Sequence, residues 1–503
     1  MPFAPLQAID RAAARLTAAL TDPARRERSV VWLLAAYALV WATYAAISKA
    51  PQGLHPDMTE LVAWSRDPAL GYFKHPPLAA WLVAGWFSFL PVDEWSYYLL
   101  AMLMPALALW LAWRLAADHL DADKRVAGLA LLMLVPFFNF HALKFNVNTV
   151  LLPLWAATAL AFLRSYRTRQ PLWAALAGLA AAASMYGKYW SVFLLAGLAL
   201  AALADKRRMD YFRSPAPWIT VAVGALALAP HIYWLMQHDF APFGYAVAVH
   251  GEKAVLTTLK SIVGYLAGSL AYVAVPAIVT VALVRARPAA LADIAWPRDD
   301  ERRLVALAFW LPLLMPVAGA LAGRSEITSL WSMPAFALLP VLLLSSPQVE
   351  LRPAGTRALL IAAVALPLIM LIASPLIAYI AHRNKPLPAS AQGDVLARQV
   401  EQAWYQVTPA PLHFVGGNAD LAYAVATYSA QRPRALTDMP PPPAAALARG
   451  GSVWVCFAED AGCKAKASAQ PGGRVIESTI VRGFMRTLGE PQRYTIVVVP
   501  PRP

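Results

Sequence analysis

The chain has 503 residues, of which 59% are hydrophobic and only 14% charged, and its formal net charge is +14. A soluble protein of this length would carry roughly a quarter charged residues, so the composition argues against a soluble helical protein. The Arg and Lys residues cluster in short gaps between apolar runs and no nucleic-acid motif accompanies them, which indicates cytoplasmic loops of a membrane protein and no nucleic-acid partner.

The N-terminal residues 1–29 mix apolar and basic positions ahead of the first apolar run. That run is long enough to cross a bilayer, as in a retained helix rather than a cleaved signal peptide. We predict a cytoplasmic amphipathic segment over 1–29 and a transmembrane domain over 30–383. About eleven spans are predicted, which are Val31–Lys49, Trp95–Ala116, Val126–Phe140, Thr149–Leu163, Leu172–Tyr186, Tyr189–Ala204, Trp218–Leu235, Lys260–Val284, Leu304–Ala322, Ser329–Leu344 and Ala358–Ala381.

The apolar run Leu78–Leu90 decides the predicted topology, because it is shorter than the ~20 residues that cross a bilayer. If it does not cross, the basic loops at 164–169, 206–208 and 298–303 all face the cytoplasm, as the positive-inside rule requires. We therefore predict a juxtamembrane helix in a long first external loop, residues 50–94. The external loops then carry few basic residues, which are Lys74, Lys144, Lys188, Lys253 and Arg324.

The composition changes after about residue 384, where Pro, Gly, Gln and Ser rise and the spanning runs stop. His413–Gly417 and Ser452–Phe457 are predicted to be buried strands that end in turns, and Tyr494–Val499, which is rich in β-branched residues, a further strand. Helical patterns are found at Val395–Tyr405 and Leu421–Ser429. The sequence therefore predicts a small α/β domain over residues 384–503, on the external side of the membrane.

Both cysteines of the chain, Cys456 and Cys463, lie in this C-terminal domain. Two cysteines so close together in a non-cytosolic compartment can form a disulfide, and two free thiols are the alternative. Their position and the charge bias of the loops agree in placing the domain outside the cytoplasm.

Asp57 follows the first span and precedes an amphipathic stretch. A carboxylate desolvated by a helix bundle can act as a general base on a hydroxyl group. The alternative is an N-cap for a helix starting at Met58, with Glu60 in a capping-box position, and the two roles are compatible. Glu60 could also assist Asp57 or bind a cation, and a solvated helix face is its simpler interpretation.

The stretch from Tyr72 to Pro77 contains Lys74 and His75, followed by two prolines that stiffen the entry into the next helix. Lys74 and His75 stand where a phosphate would dock at an interfacial site. Lys74 could instead extend toward lipid headgroups, and His75 could simply hydrogen-bond to the backbone.

Two further groups of polar residues lie among aromatic ones on the external side. The first contains His141, Lys144, Asn146 and Asn148, whose amides suit sugar hydroxyls, although helix capping by Asn148 is the alternative. The second is Lys188, followed by Tyr189. This lysine lies between two apolar segments, where packing alone does not explain a charged residue.

A weaker external group contains His231, His238, Asp239 and His250, whose spacing fits no compact zinc motif. We therefore predict no metal site, while a dependence on a divalent metal stays open. The sequence contains no Ser-His-Asp order, P-loop or HExxH motif. One carboxylate among cations and aromatic rings, facing lipid, suits transfer from a polyprenyl phosphate, whose anionic leaving group needs cationic partners.

The stretch Gly71–Leu82 (GYFKHPPLAAWL), after an external Asp, resembles the protein O-mannosyltransferase and aminoarabinose transferase superfamily, the GT-C class of lipid-linked glycosyltransferases. The segment His141–Trp155 (HALKFNVNTVLLPLW) resembles its bacterial members. The resemblance covers residues 31–230 and is limited to the hydropathy plan beyond them.

The resemblance implies an inverting transfer of a sugar from a polyprenyl-phosphate donor to an envelope acceptor, which could be lipid A, another glycolipid, a polysaccharide or a protein. It implies that Asp57 is the base and that Lys74 and His75 lie near the donor phosphate. Some relatives have an acidic residue in the second external loop, where this chain has Asn146 and Asn148, so no second carboxylate is implied. The residues predicted to bind the donor are Lys74, His75, His141, Lys144, Asn146, Asn148, Lys188, Tyr189 and Arg324, with Glu60 and Tyr72 as auxiliary residues.

The resemblance also implies a multi-pass protein of the bacterial inner membrane, with the active site and C-terminal domain in the periplasm. A transporter or flippase of a lipid-linked sugar is the alternative function, although no internal repeat typical of transporters is evident. A third hypothesis is a scaffold or sensor whose external domain binds an envelope polymer. The sequence predicts neither the sugar nor the oligomeric state.

Overall fold

The structure is a computed structural model that describes residues 4–383, 393–437 and 442–502, so the first residues of the predicted C-terminal domain, 384–392, lie outside it. The chain forms two compact units. The first unit comprises residues 4–42, 74–78 and 99–371, and the second comprises 43–73, 79–98 and 372–502. Most of residues 50–94, the predicted first external loop, therefore belong to the same unit as the C-terminal sheet. The predicted boundaries at 29 and 383 stay predictions.

Residues up to 383 are almost entirely helical. The α-helices in chain order are α1 Ala4–Thr21, α2 Arg26–Lys49, α3 Pro56–Ser65, α4 Leu78–Phe89, α5 Glu94–Ala116, α6 Ala122–Met133, α7 Val147–Thr168, α8 Pro171–Gly187, α9 Val192–Ala204, α10 Arg208–Phe212, α11 Ala216–Gln237, α12 Ala241–His250, α13 Val255–Tyr272, α14 Ala274–Leu283, α15 Pro288–Ala295, α16 Asp300–Gly323, α17 Leu339–Leu344 and α18 Pro353–Arg383. Three 3₁₀ helices accompany them, at Pro136–Phe138, Tyr189–Ser191 and Ser329–Leu338.

Each predicted span overlaps at least one helical segment, although the predicted span Val126–Phe140 runs past the end of α6 at Met133. Within the described part of the chain, six helices are long and apolar enough to cross a membrane, namely α2, α5, α7, α11, α16 and α18. The pair α12 and α13, bent by 96°, would make a seventh. The remaining predicted spans are shorter or broken, so the count of eleven stays a prediction. The helix α4 has 12 residues, which agrees with the prediction that this run is too short to cross.

Small residues bring the helices that carry candidate site residues close together. Gly178 of α8 lies so near the carbonyl of Thr220 in α11 that a Cβ atom would stand 2.5 Å from that oxygen. The Trp155 indole of α7 donates a 3.0 Å hydrogen bond to the Ser191 hydroxyl. Close packing of small residues and buried polar contacts are typical of helix association in membranes. These contacts hold α7 and α8 in place, and with them the residues just before α7 and just after α8.

The C-terminal part contains the helices α19 Gly393–Tyr405, α20 Ala419–Tyr428, α21 Ala444–Gly450 and α22 Ala461–Ser468. Its strands are β1 Phe414–Gly417, β2 Arg434–Ala435, β3 Ser452–Phe457, β4 Arg474–Ile480, β5 Gly483–Phe484, β6 Thr487–Leu488 and β7 Gln492–Val499. Five strands form one sheet in the order β2-β1-β3-β7-β4, with β2, β1 and β3 parallel and β7 antiparallel to both neighbours. The predicted small α/β domain is confirmed, while β2, β4 and the hairpin β5–β6 were not predicted.

The predicted disulfide joins Cys456 in β3 to Cys463 in α22, with Cα atoms 5.7 Å apart. Asp460 caps α22, because its side chain accepts a 2.9 Å hydrogen bond from the Cys463 amide. The disulfide therefore fastens a short helix to a central strand of the sheet, and the alternative of two free thiols is wrong.

Candidate active site

Asp57 lies in the first turn of α3 in the second unit, not at its N-cap. Pro56 occupies the first helical position, where its fixed φ angle suits the helix, and His55 is the cap. The His55 Nδ1 atom accepts a 3.1 Å hydrogen bond from the Asp57 amide. The predicted cap at Asp57, and with it the capping box with Glu60, is therefore wrong.

The Asp57 carboxylate is 41% exposed, and one of its oxygens lies 3.5 Å from His55 Nδ1. Because that nitrogen accepts the backbone hydrogen bond, the His55 proton belongs on Nε2. A negative charge in the first turn of a helix is stabilised by the helix dipole. The Asp57 carboxylate is therefore not used as the helix cap and is partly exposed, and its role as a base stays a prediction.

Tyr72 closes the loop that follows α3. Its hydroxyl donates to the carbonyl oxygens of Trp64 and Asp67 at 3.0 and 3.2 Å, and its ring stacks on Trp64 with centroids 4.8 Å apart. Burial raises the pKa of Tyr72 to about 12, and the nearby charge of Asp67 adds to this. These contacts support the loop, whereas Glu60 is partly exposed on α3. The auxiliary roles of both residues stay predictions.

Lys188, in the first unit, is the predicted donor-binding residue with the best-defined surroundings. It follows α8 in an extended conformation, and its Nζ donates a 2.8 Å hydrogen bond to Asn148 Oδ1. The same Nζ lies 4.6 Å above the ring centroid of Trp331, a cation–π distance. The ring of His250 meets Trp331 edge-on, with centroids 5.1 Å apart. The structure therefore joins two predicted residues and adds Trp331, which sequence reasoning had placed only within a span.

Asn146 and Asn148 have different roles at the start of α7. Asn146 is the N-cap, because its Oδ1 accepts from the amides of Asn148 and Thr149 at 3.0 and 3.2 Å. Capping by Asn148, the alternative in the sequence, is therefore wrong. Since Asn146 performs the capping, the Asn148 side chain reaches Lys188 instead.

His141 and Lys144 lie in the turn before α7. The His141 ring packs against Tyr272 and Phe137, with centroids 5.0 and 5.7 Å apart. Burial lowers the pKa of His141, and the charge of Lys144 lowers it further, so the imidazole is neutral at pH 7. The Lys144 carbonyl accepts a 2.7 Å hydrogen bond from the Thr149 hydroxyl, which fixes the backbone of this turn.

Tyr189 is bonded to a buried histidine. Its hydroxyl lies 3.0 Å from Nε2 of His231, a residue only 1% exposed. The ring of Trp234 stacks parallel to that of His231, with centroids 5.9 Å apart. The rings of Phe243 and Tyr189 have centroids 4.7 Å apart. The group His231, His238, Asp239 and His250 is not assembled as a metal site, and among the described residues no three His, Cys, Asp or Glu side chains are grouped to hold a metal ion.

Arg324 and Lys74 have partners that the sequence did not indicate. Arg324 ends α16 in the left-handed conformation, with φ 44°, and its carbonyl accepts a 2.9 Å hydrogen bond from the Lys253 amide. The Lys253 ammonium lies 3.7 Å from a Glu326 carboxylate oxygen. Lys74 Nζ lies 5.9 Å from the ring centroid of Tyr245. His75 is partly buried.

The candidate residues therefore divide between the units. The first unit contains Lys74, His75, His141, Lys144, Asn146, Asn148, Lys188, Tyr189 and Arg324, and the second contains Asp57, Glu60 and Tyr72. Trp331, Tyr245 and Glu326 were missed, because nothing in their local sequence shows which lysine they meet.

Comparison with known proteins gives the same family as the motif. The sequence profile of the dolichyl-phosphate-mannose-protein mannosyltransferase family matches residues 74–234. The lipopolysaccharide core galacturonosyltransferase RgtB of Rhizobium johnstonii is 27% identical over 334 residues, which are 64% of this chain and 66% of RgtB. The lipid A galacturonosyltransferase RgtD of the same organism is 26% identical over 178 residues, 35% of this chain and 37% of RgtD. The chain thus spans just under two thirds of RgtB and about a third of RgtD.

The fold is similar to that of ArnT from Cupriavidus metallidurans. The structure of ArnT bound to undecaprenyl phosphate superposes with a TM-score of 0.59 and 14% identity, covering 93% of this chain and 97% of ArnT. The apo structure gives the same TM-score at 15% identity. The predicted resemblance to the GT-C membrane glycosyltransferases and the predicted fold class are confirmed, because the profile, the relatives and the fold all agree with them.

Proposed function

We propose that the chain is an inverting glycosyltransferase that moves one sugar from a polyprenyl-phosphate donor to an acceptor of the bacterial cell envelope, at the periplasmic face of the inner membrane. The observation that carries the proposal is the Lys188 ammonium, held by Asn148 and the face of Trp331. A partly buried cation beside an aromatic face suits a sugar linked to a phosphate. Lys188 and Asn148 both lie in the region that matches the family profile.

The reaction follows from the donor's chemistry. The acceptor hydroxyl attacks the anomeric carbon of the sugar, the bond from that carbon to the phosphate oxygen breaks, and the electron pair leaves with the polyprenyl phosphate. Asp57 takes the hydroxyl proton as general base. Lys188, with Lys74, Lys144 and Arg324, stabilises the negative charge that develops on the leaving phosphate.

The relatives support a narrower proposal for the sugar and the acceptor. RgtB and RgtD are named for galacturonate transfer to the lipopolysaccharide core and to lipid A. ArnT was crystallised with undecaprenyl phosphate. We therefore propose a hexuronic acid on a polyprenyl phosphate as the donor and a glycolipid of the lipid A or core type as the acceptor.

The test is transfer by the purified chain in detergent micelles. Donors carrying galacturonate and galactose differ at one carbon, a carboxylate against a hydroxymethyl group, and form a matched pair. We expect the acceptor to gain the mass of one hexuronic acid residue with the first donor only. Transfer of galactose alone would overturn the sugar assignment, and no transfer from any lipid-linked donor would overturn the enzyme assignment.

Micelles also separate this proposal from the alternative of a flippase. A flippase moves its substrate between two compartments, and a micelle has no second compartment. New glycosidic product in micelles therefore contradicts a function limited to transport. A parallel reaction with EDTA measures whether a divalent metal is needed.

A further inference from the structure

The hairpin formed by β5 and β6 has an unusual turn. Phe484 pairs with Thr487, so Met485 and Arg486 are the two central residues, and both adopt positive φ angles of 45° and 63°. Such a turn strongly favours Asn-Gly, because most other side chains are strained there. This hairpin has Met485 and Arg486 at the two positions, although positive φ angles are unfavourable for both residue types. Strain of this kind is typical of positions that are kept for an interaction.

The hairpin exposes two apolar side chains beside the basic Arg486. Leu488 is 80% exposed and Met485 is 52% exposed. A two-stranded hairpin is only marginally stable in water by itself. The Thr487 hydroxyl donates a 2.8 Å hydrogen bond to the Phe484 carbonyl within it, and the Gly489 amide donates one of 2.9 Å to the Arg482 carbonyl. An exposed apolar hairpin therefore needs a partner surface.

The contact of the hairpin with the end of α18 indicates what the partner surface is. His382, in the last turn of the α18 span, has its Nε2 atom 3.3 Å from the Thr487 carbonyl, and its ring lies 5.6 Å from that of Phe484. Ile372, Leu376 and Ile380 of the same helix are exposed, so its outer face remains suited to lipid until two residues before His382. The hairpin is thus attached to the helix at the level where the apolar face ends.

We propose that the hairpin Gly483–Leu488 rests in the headgroup region of the bilayer. Met485 and Leu488 contact the acyl chains, and Arg486 binds lipid phosphate, preferentially of anionic lipids. The surface is continuous with the lipid-facing side of α18, which is why a membrane rather than a protein is the partner. This inference does not depend on the proposed function.

The test uses a spin label on a single introduced cysteine. Cys456 and Cys463 form a disulfide, so a thiol placed by Leu488→Cys is the one that reacts. Val475→Cys is the matched control, because Val475 is 54% exposed on β4 of the same unit. In nanodiscs of phosphatidylcholine and phosphatidylglycerol, we expect the label at 488 to collide more often with oxygen than with a water-soluble nickel chelate, and the label at 475 to do the reverse.

A second variant tests the same contact without weakening the hairpin. The double change Met485→Asn and Arg486→Gly supplies the favoured turn residues, so the hairpin itself should fold better. We expect the label at 488 to become more accessible to the nickel chelate in this variant, with a larger change when phosphatidylglycerol is present. Equal accessibility at 488 and 475, or no effect of the double change, would overturn the proposal.

A separate observation concerns the backbone around Asp57. The Tyr428 hydroxyl, at the end of α20, accepts a 2.7 Å hydrogen bond from the Leu54 amide and donates one of 2.7 Å to Glu94. The Thr427 hydroxyl donates to the Thr59 carbonyl at 3.3 Å. These two residues therefore hold the chain three residues before Asp57 and two residues after it.

The same segment is held further out on both sides. The Arg482 guanidinium donates a 2.7 Å hydrogen bond to the Ala50 carbonyl and lies 2.9 Å from an Asp394 oxygen. The Arg66 side chain donates to the Ala426 carbonyl at 2.5 Å. The end of α20 and Arg482 thus fix the path of the chain from residue 50 to residue 66.

We infer that Tyr428 is a positioning residue for Asp57, which rests on the proposed role of Asp57 as the base. Tyr428→Phe keeps the ring and removes the hydroxyl. We expect kcat to fall about tenfold, as for the loss of one or two hydrogen bonds, while the donor KM is unchanged. Tyr423→Phe is the matched control, since Tyr423 lies in the same helix and its hydroxyl donates to the Thr437 carbonyl instead.

A double mutant separates the two claims. In the Asp57→Asn background, Tyr428→Phe should cause no further loss, because the group that it positions is gone. A further tenfold loss there, or equal effects of the two tyrosine changes, would overturn the inference about Tyr428. Full activity of Asp57→Asn alone would instead overturn the role of Asp57.

Discussion

In the first unit two candidate lysines, Lys188 and Lys74, lie beside aromatic rings, whereas in the second unit the backbone on both sides of Asp57 is held by hydrogen bonds. Lys188 lies over Trp331 and against Asn148, and Lys74 lies near Tyr245. Asp57 sits in the first turn of α3, and the flanking chain is bonded to α20. A lysine among apolar helices has little water around it and is stabilised by ring or amide partners. A carboxylate that acts as a general base must instead be held within reach of the acceptor hydroxyl group.

This difference predicts different kinetic signatures for the two units. Changes to the ring-held cations of the first unit should mainly weaken the interaction with the donor. Changes around Asp57 should mainly lower the rate of the chemical step. The comparison fails if substitutions in both units alter the same kinetic parameter.

The largest effect is expected for Asp57→Asn, which removes the proposed base at almost unchanged volume. A positioned base contributes about 10²–10⁴-fold to the rate, so kcat should fall by that factor while the donor KM is nearly constant. The measurement is the initial rate of product formation in micelles. Because the His55 side chain caps α3, the asparagine should leave the helix start intact.

Asp67→Asn is the matched control for that variant. Asp67 lies in the same loop region, and its carboxylate forms a partly exposed pair with Arg434 at 2.9 Å. Such pairs contribute at most about 1 kcal/mol, so the rate should stay within about fivefold of the unchanged protein. An equal loss in the Asp57 and Asp67 variants would mean that net charge, and not a base, is responsible.

The next effect is expected for Lys188→Met, which keeps much of the side-chain length and removes the charge. Hydrogen bonds to charged groups contribute about 1.5–3 kcal/mol, which corresponds to a loss of about 10–100-fold in kcat/KM. Because Lys188 is proposed to bind the donor phosphate, we expect most of the fall in kcat/KM to come from a higher KM for the donor. Titration of activity against donor concentration separates the two parameters.

Lys260→Met provides the comparison for Lys188, because Lys260 is an exposed residue of α13. It makes the same change in net charge outside the proposed site, and its donor KM should equal that of the unchanged protein. If both lysine variants raise KM equally, a general effect of surface charge on the anionic lipid is the better explanation.

A smaller effect, on stability alone, is expected from the disulfide of the second unit. Replacing Cys456 and Cys463 by serine removes the link between β3 and α22, and these two cysteines have a sequence separation of 7. Disulfides stabilise by about 2–4 kcal/mol, and a loop this short belongs at the lower end. The apparent Tm should therefore fall, and treatment of the unchanged protein with a reductant should reproduce the shift. An unchanged Tm in both experiments would contradict this role of the disulfide.

The sequence predicted what depends on local pattern. The apolar runs, the strands β1, β3 and β7 and the nearby cysteines all follow from hydropathy, β-branching or spacing. The cap of α3 was also readable, since a proline at 56 favours the first helical position and leaves His55 as the cap. The strand β4 is rich in β-branched residues and could have been found by the same rule.

The partners of the candidate residues could not be predicted in this way. Trp331 is 143 positions from Lys188, and Tyr428 is 374 positions from Leu54. Such pairs depend on how helices pack, which no local spacing specifies. The grouping of most of residues 50–94 with the C-terminal sheet in one unit has the same cause. Residue types therefore indicated the chemistry, and packing decided which side chains meet.

The smallest effect distinguishes two neighbouring asparagines within the first unit. Asn146 caps α7, so Asn146→Ala should destabilise the protein by about 1 kcal/mol and leave the donor KM unchanged. Asn148 accepts from Lys188, so Asn148→Ala should leave the Tm unchanged and raise the donor KM a few-fold, because the ammonium loses a partner that orients it. Thermal unfolding of the two variants measures the Tm, and titration of activity against donor concentration measures the KM. The reverse pattern, with KM changed by Asn146→Ala and Tm by Asn148→Ala, would mean that the cap, and not the amide beside Lys188, organises the donor site.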